Sequence, residues 1–526
     1  MGRDIFQMYA FDSLRWKNEF EKAVKEARRE EIRELRVEIF HGTMTAVEQG
    51  QYMAGNGAVR PFKDDEMRRG TVFYSSALDA SDVAPCGEKT LVNVMNEDCL
   101  VVADYLAFLG YNPVVLNMAS PTNPGGGVMK GSGAQEENLF RRTNLYRSLY
   151  AFAGYAGQYG LQKQTAQYPL DRNWGGIYTP DATVFRGTES DGYPLLPHPY
   201  QMSFIAVAAV NRPELDSNGC LTPQMVALTK NKMRTILRIA LLKGHDAVVM
   251  GAMGCGAFRN PPSHVAHIFH EVIDEAEFRD KLKRVAFAII DDHNAHRAHN
   301  PEGNYQPFAR EFEESGSMHI PGDSTGFRRL IEKKYAPLII KIRSAAHALH
   351  ESVGQRYGKT LTYGKHLDMV AQAAIEYGGD VCLEEQDAVP MMFAAFFHDS
   401  IEDARQTYND TVKTALRFMP DEKARLAADI VYALSNDKGR SRAERAGDKY
   451  YRGIRETPYA PFIKFADRLA NMRFSAERAL QGDGHMKAVY AEELPHFIGS
   501  LIPKAGSADV RFTVPQRMID ECMRIK

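Results

Sequence analysis

The chain has 526 residues, 44% hydrophobic and 25% charged, with 65 basic and 67 acidic side chains giving a formal net charge of −2. That length exceeds one ordinary core, so two or three globular domains are expected, and the near-neutral balance excludes a global drive toward nucleic acid. Cys86, Cys99, Cys220, Cys255, Cys382 and Cys522 are scattered without a C-x-x-C motif, as free thiols of a reducing compartment would be. The start, Met1 to Phe6, has no signal-peptide apolar core, and Phe6 fails the myristoylation pattern. No apolar stretch approaches the roughly 20 residues that span a bilayer, so the expectation is a soluble cytoplasmic protein. Residues 14–38 are rich in Glu, Lys and Arg, with Phe20, Val24, Ile32 and Leu35 at helical spacing. They predict one exposed amphipathic helix, on which Arg28 and Arg29 form a solvated face. From about 95 to 295, strand-like runs at 114–116, 204–210, 247–251 and 285–290 alternate with helical segments at 221–243 and 263–274. This alternation predicts an α/β layered domain.

Within that half, Asn123-Pro124-Gly125-Gly126-Gly127 precedes Gln135-Glu136-Glu137. Consecutive glycines let a ligand lie against bare main chain, and carboxylates just beyond them suggest acid–base chemistry on what the loop holds. Adjacent glutamates at a helix start point about 100° apart, so they cannot flank one reacting bond from opposite sides.

Residues 114–146 closely resemble the signature of bacterial-type poly(ADP-ribose) glycohydrolases, a macrodomain family that cleaves the bond between ADP-ribose units. Ile177 to Arg186 and Gly251 to Pro262 resemble further blocks of that family, in the expected order. The resemblance implies that Glu137 protonates the departing ribose hydroxyl and later deprotonates water, while Glu136 holds ribose hydroxyls. It implies ligand contacts from Asn123, Gly125, Gly126, Gly127 and Gln135. Gly254, Cys255 and Gly256 would offer backbone N–H groups to the diphosphate, with Phe258 near the sugar or base. Cys255 reads as a packing residue rather than a nucleophile, and no cofactor is implied.

Residues 292–327 turn polar and are punctuated by Gly and Pro, which reads as a linker. His293, His296 and His299 lack supporting cysteines or carboxylates and read as part of that loop. The expected division is a macrodomain-like domain at 1–298, a linker at 299–327 and a second domain at 328–526. The second domain shows apolar periodicity at 339–354, 365–377, 390–399, 411–418 and 421–434, which predicts an all-α fold.

Inside it, His398-Asp399 can share one divalent cation, and on a helix Glu402 and Asp403 would stack beside them four residues on. With His366 upstream and Asp467 downstream, the mixed nitrogen and oxygen set suits Mn²⁺, Fe²⁺ or Zn²⁺ better than Ca²⁺. This half resembles HD-domain metal-dependent phosphohydrolases, in particular the (p)ppGpp hydrolase domains of stringent-response enzymes. The resemblance implies His366, His398, Asp399 and Asp467 as metal ligands, with Mn²⁺ foremost. Glu402 and Asp403 would orient or activate water, and Asn471 would contact the nucleotide. Two positions depart from those hydrolases: Tyr357-Gly358 stands where an Arg-Lys pair reads guanine, and Phe474 stands where Thr is common. Another nucleotide substrate therefore stays open. The basic run Lys438, Arg440, Arg442, Arg445 and Lys449 reads equally as a phosphate-lining segment or as a solvated helix.

The expected protein is a two-enzyme fusion of ADP-ribose glycohydrolase and metal phosphohydrolase. Its partners would be ADP-ribose or an ADP-ribosylated macromolecule and a nucleotide such as a (p)ppGpp-like alarmone, with neither membrane nor nucleic acid indicated. The rival expectations are an ADP-ribose reader in the first half and a nucleotide sensor in the second.

Overall fold

The computed structural model describes residues 8–55, 57–291, 295–313, 322–358, 361–435, 447–502 and 509–526. His293, Lys438, Arg440, Arg442 and Arg445 lie outside the described residues, as do positions 314–321 of the expected linker. The chain divides into two compact units, Met1–Glu313 and Glu314–Lys526.

The first unit is built on a mixed sheet. A small hairpin of β1 (Tyr52–Ala54) and β2 (Gly57–Val59) stands apart from it. The sheet itself comprises β3 (Val72–Tyr74), β4 (Leu91–Met95), β5 (Pro113–Met118), β6 (Gly176–Arg186), β7 (Leu195–Val207), β8 (Ala247–Met250) and β9 (Arg284–Ala288). Their order is β3-β6-β7-β5-β8-β9-β4. Pairings from β7 through β4 are parallel, whereas β3, β6 and β7 pair antiparallel. Central β5 buries five of its six residues, as an apolar run between two neighbours and under helices requires. The β-branched Val114 and Val115 are fully buried there. Edge strand β4 alternates buried and half-buried positions instead. The expected strand at 204–210 ends earlier and begins far upstream, because the polar half of β7 pairs along β6.

The segment expected as one exposed helix is two, Ser13–Lys25 and Arg29–Glu48, broken at Ala27 with φ 54°. They pack on each other through fully buried Trp16 and Ile39, and the Trp16 indole N–H donates to the Leu35 carbonyl at 2.9 Å. The charged residues dominate the composition and conceal this narrow apolar seam. The expected linker is corrected in a similar way. Helix Tyr305–Glu311 seats Phe308 against Phe287 at 5.1 Å, inside the first unit's core. A single apolar stripe after a polar loop is enough to join that helix to the domain.

The second unit is largely helical, apart from a two-stranded ribbon of β10 (Arg356–Tyr357) and β11 (Leu361–Thr362). Helix Ala388–Phe397 is buried at every residue, and helices Tyr363–Tyr377 and Ala460–Leu480 pack against it and each other. A short, uniformly apolar helix of this kind can only be a core element. Among the described residues no helix is long and apolar enough to cross a membrane.

Candidate functional site

In the first unit, β5 and β8 are parallel neighbours, so the loops leaving their C-terminal ends emerge side by side, where α/β sheets place ligands. A Cβ on Gly251 would lie 3.1 Å from Met118 Cε, which shows how closely the two strand ends approach. The β5 loop carries Asn123 to Gly127 and returns into helix Gln135–Arg142. At Gly126 the backbone is left-handed (φ 54°), and a Cβ there would sit 2.5 Å from Glu137 Oε1. Glycine is required by both conformation and space.

Main-chain donors hold the two glutamates. The Ser120 N–H donates to Glu136 Oε2 at 2.7 Å, and the Gly125 N–H donates to Oε1 at 3.0 Å. Glu136 is buried, and that burial pushes its carboxyl up to about 8 against the pull of the two donors, with the charge of Glu137 adding to the rise. Glu137 accepts the Gly127 N–H on Oε1 at 2.8 Å. Its Oε2 is buried and has no hydrogen-bond partner. One oxygen is thus fixed to the glycine loop while the other is left without a partner, an arrangement suited to exchanging a proton with a loop-bound ligand.

Asn123 donates from Nδ2 to the Gly126 carbonyl at 2.8 Å and accepts the Tyr155 hydroxyl on Oδ1 at 2.9 Å. Tyr155 belongs to no motif, and its contact with Asn123 was not legible in the sequence. Gln135 does a different job from the ligand contact expected of it. Its Oε1 accepts the Met118 N–H at 2.9 Å and its Nε2 donates to the Leu116 carbonyl at 2.6 Å. The amide therefore clamps the helix to β5. At the helix's other end, fully buried Arg141 donates to the Tyr193 hydroxyl and the Ser132 carbonyl, both at 2.8 Å, and Arg142 pairs with Asp98 at 2.7 Å.

On the β8 loop, Gly254 is left-handed (φ 76°), Gly256 faces open space and Phe258 is half-buried. Cys255 is corrected as a ligand-binding residue. It is fully buried, its N–H donates to the Ala252 carbonyl at 3.1 Å, and burial pushes its thiol far up. His299, expected in a linker, lies with Nε2 3.1 Å from the Cys255 carbonyl.

Residues 41–187, which include the glycine loop and both glutamates, match the model of the microbial-type PARG (poly(ADP-ribose) glycohydrolase) catalytic domain. The first unit carries a microbial-type PARG catalytic domain. Among solved structures the chain is similar to the poly(ADP-ribose) glycohydrolase from Thermomonospora curvata at 29% identity, over 52% of this chain and 98% of that one, with a TM-score of 0.43. That protein bound to the inhibitor ADP-HPD matches at 30% identity over 52% of this chain and 98% of that one, with a TM-score of 0.42. The Deinococcus radiodurans enzyme in complex with ADP-ribose matches at 29% identity over 48% and 99%, with a TM-score of 0.38. No curated protein matches the chain. The 251–262 loop falls outside the span matched to the PARG domain.

The second unit brings its own four predicted ligands together. His366 Nε2 lies 3.2 Å from His398 Nε2, 3.4 Å from Asp467 Oδ1 and 3.6 Å from Asp399 Oδ2. His398 Nε2 lies 2.9 Å from Asp399 Oδ2 and 3.9 Å from Asp467 Oδ1. His398 Nδ1 is 3.0 Å from the Ala395 carbonyl, which can only accept, so Nδ1 carries a proton and Nε2 is the nitrogen turned toward the cluster. Burial opposes charge on His366, yet the bonds to Asp399 and Asp467 outweigh it and raise that imidazole to about 9. Burial likewise opposes charge on Asp399, but the two imidazoles hold its carboxyl far below the usual range. The field of this cluster attracts positive charge, and its donor set fits a first-row divalent cation.

The expected helical stacking of Glu402 and Asp403 is corrected. The helix ends at Phe397, and His398 to Asp403 run through turns, with the Asp403 N–H donating to the Asp399 carbonyl at 2.8 Å. Ten consecutive buried apolar residues end at the polar His398, which is itself buried. Asp403 still returns to the site, because its Oδ2 accepts from Tyr363 at 3.1 Å and from Gln355 at 2.5 Å. Glu402 is exposed. Asn471 donates to Asp467 Oδ1 at 2.6 Å and accepts the Tyr357 hydroxyl at 2.8 Å, so its amide is engaged within the protein. Lys464, half-buried with its Nζ 3.3 Å from Asp467 Oδ2, is marked by no motif in the sequence.

Proposed function

We propose that the first unit hydrolyses ADP-ribose glycosidic bonds with Glu137 as its acid–base. The observation that carries this reading is the Glu137 carboxyl, anchored on one side by the Gly127 N–H and buried without a protein partner on the other. In this reading Oε2 gives a proton to the departing ribose hydroxyl and then takes one from the water that attacks the oxocarbenium-like carbon. Glu136 shapes the loop through its two main-chain bonds and faces the sugar hydroxyls beside it. Asn123, Gly125, Gly126 and Gly127 contact the ribose and diphosphate, and Gly254, Gly256 and Phe258 complete the far side. The test is release of free ADP-ribose from poly(ADP-ribosyl)ated protein in EDTA, comparing the wild type with Glu137→Gln. Release that disappears in the variant supports the assignment. ADP-ribose binding by the wild type without turnover would make this unit a reader.

A second reading concerns the second unit and is favoured by the His366, His398, Asp399 and Asp467 cluster. It is an HD-type, metal-dependent nucleotide phosphohydrolase, with those four side chains holding Mn²⁺ first, or Fe²⁺ or Zn²⁺. A bound cation would supply a lowered water pKa and neutralise the phosphate under attack. In this reading Asp403, oriented by Tyr363 and Gln355, steers water with Glu402 as its expected companion, and Lys464 holds the outer oxygen of Asp467. The nucleotide class stays open between a (p)ppGpp-like alarmone and another nucleotide. Phosphate release from a nucleotide panel with Mn²⁺, lost in His398→Ala, tests it. Metal binding without any release would leave a nucleotide sensor.

A further inference from the structure

Two side chains that set the second unit apart from the hydrolases it resembles touch each other. Tyr357 on β10 and Phe474 have ring centroids 4.6 Å apart. The same Tyr357 ring lies on the imidazole of His366, with centroids at 4.8 Å and planes inclined by 19°. Its hydroxyl donates to Asn471 Oδ1 at 2.8 Å, and Asn471 Nδ2 donates to Asp467 Oδ1 at 2.6 Å and to the Asp467 carbonyl at 3.0 Å.

The orientation of that amide follows from charge. Asp467 can only accept, so Nδ2 must face it, which leaves Oδ1 for a donor. Tyr357 is the donor supplied. One aromatic residue thus covers the face of His366 with its ring and reaches Asp467 through a single amide. Those two groups stand on different helices, Tyr363–Tyr377 and Ala460–Leu480. The hydrogen-bonding capacity of Asn471 is spent on this chain, so it has little left to offer a nucleotide.

We infer that Tyr357 is a positioning residue of the second unit's cation centre, fixing His366 through its ring and Asp467 through Asn471, and that Asn471 serves the centre rather than the substrate. This rests on the cation reading above. Its test therefore measures binding rather than turnover.

The experiment is calorimetric titration of Mn²⁺ into the full chain for the wild type, Tyr357→Phe, Tyr357→Leu, Asn471→Ala and the Tyr357→Phe/Asn471→Ala double variant. The cation-free melting temperature of each is measured alongside. Outer partners of metal ligands are commonly worth about 10–100-fold in affinity. Tyr357→Phe, which keeps the ring, is expected to weaken Mn²⁺ about tenfold at unchanged cation-free melting, and Tyr357→Leu to weaken it further. The double variant should bind no more weakly than Asn471→Ala alone, since both changes cut one chain of contacts. Equal affinity of wild type and Tyr357→Phe overturns the inference. So do losses that simply add, or a melting loss at constant affinity, which would make Tyr357 a packing residue. A wild-type chain that binds no Mn²⁺ sinks the cation reading itself and this inference with it.

Discussion

In the first unit the acidic groups are held by main chain: Ser120, Gly125 and Gly127 turn their N–H groups onto Glu136 and Glu137. In the second, Asp399 and Asp467 are held by side chains, from Tyr363, Lys464, Asn471 and the two imidazoles. The first arrangement depends on backbone shape and needs no counter-ion. The second gathers opposite charges within 4 Å of each other and depends on charge balance. One site should therefore break when its loop conformation changes, the other when its charge balance is disturbed.

The sharpest break is Glu137→Gln. Loss of a positioned proton donor typically costs about 10²–10⁴-fold, so ADP-ribose release should fall by that order while Mn²⁺ titration of the chain stays unchanged. Next comes Gly126→Ala, which puts a methyl group 2.5 Å from Glu137 Oε1 at a left-handed position. A displacement near 1 Å can cost about 100-fold in rate, and release should drop accordingly with both glutamates still present. Activity near wild type would show that the loop yields more readily than its contacts imply.

Chelation tests the other side. If the second unit binds a cation, saturation at about 100 times Kd should stabilise it by about 2.7 kcal/mol. EDTA should then lower the melting transition of that unit and leave ADP-ribose release intact. Two transitions that move together would mean that the units do not respond separately to chelation.

The last expected effect is a pH dependence. Glu136 titrates near 8 when folded, above its ordinary value of 4.5, so the folded chain binds the extra proton between those limits. Its contribution to stability is complete below about 4.5 and is lost as pH rises through about 8, on the order of a few kcal/mol in all. Glu136→Gln should flatten that slope in denaturant titrations between pH 5 and 9 (roughly the window that linkage sets). A slope identical to wild type would mean that the buried carboxyl titrates normally.

What could be read from the sequence was whatever the chain writes locally. The glycine run, the paired glutamates and the His-Asp step are contiguous, so their chemistry shows without coordinates. The central strands were also legible, because β5, β8 and β9 are short apolar runs. Contacts between distant segments were not. Gln135 stands beside the paired glutamates, yet it bonds to β5 nineteen residues back, at Leu116. Tyr155 and Tyr357 reach their amides across 32 and 114 residues, with no spacing rule to announce them. The helix end at Phe397 was missed because the apolar run continues up to it and periodicity carries no sign of where the turns begin.

Both tryptophans of the chain, Trp16 and Trp174, lie in the first unit. Trp16 is sealed between the two N-terminal helices, where loss of packing would shift its emission toward that of a wetted indole. The chain therefore carries a built-in optical label on one half only. Indole fluorescence follows unfolding of the PARG unit, and any transition seen by helical circular dichroism but silent in that channel belongs to the other half.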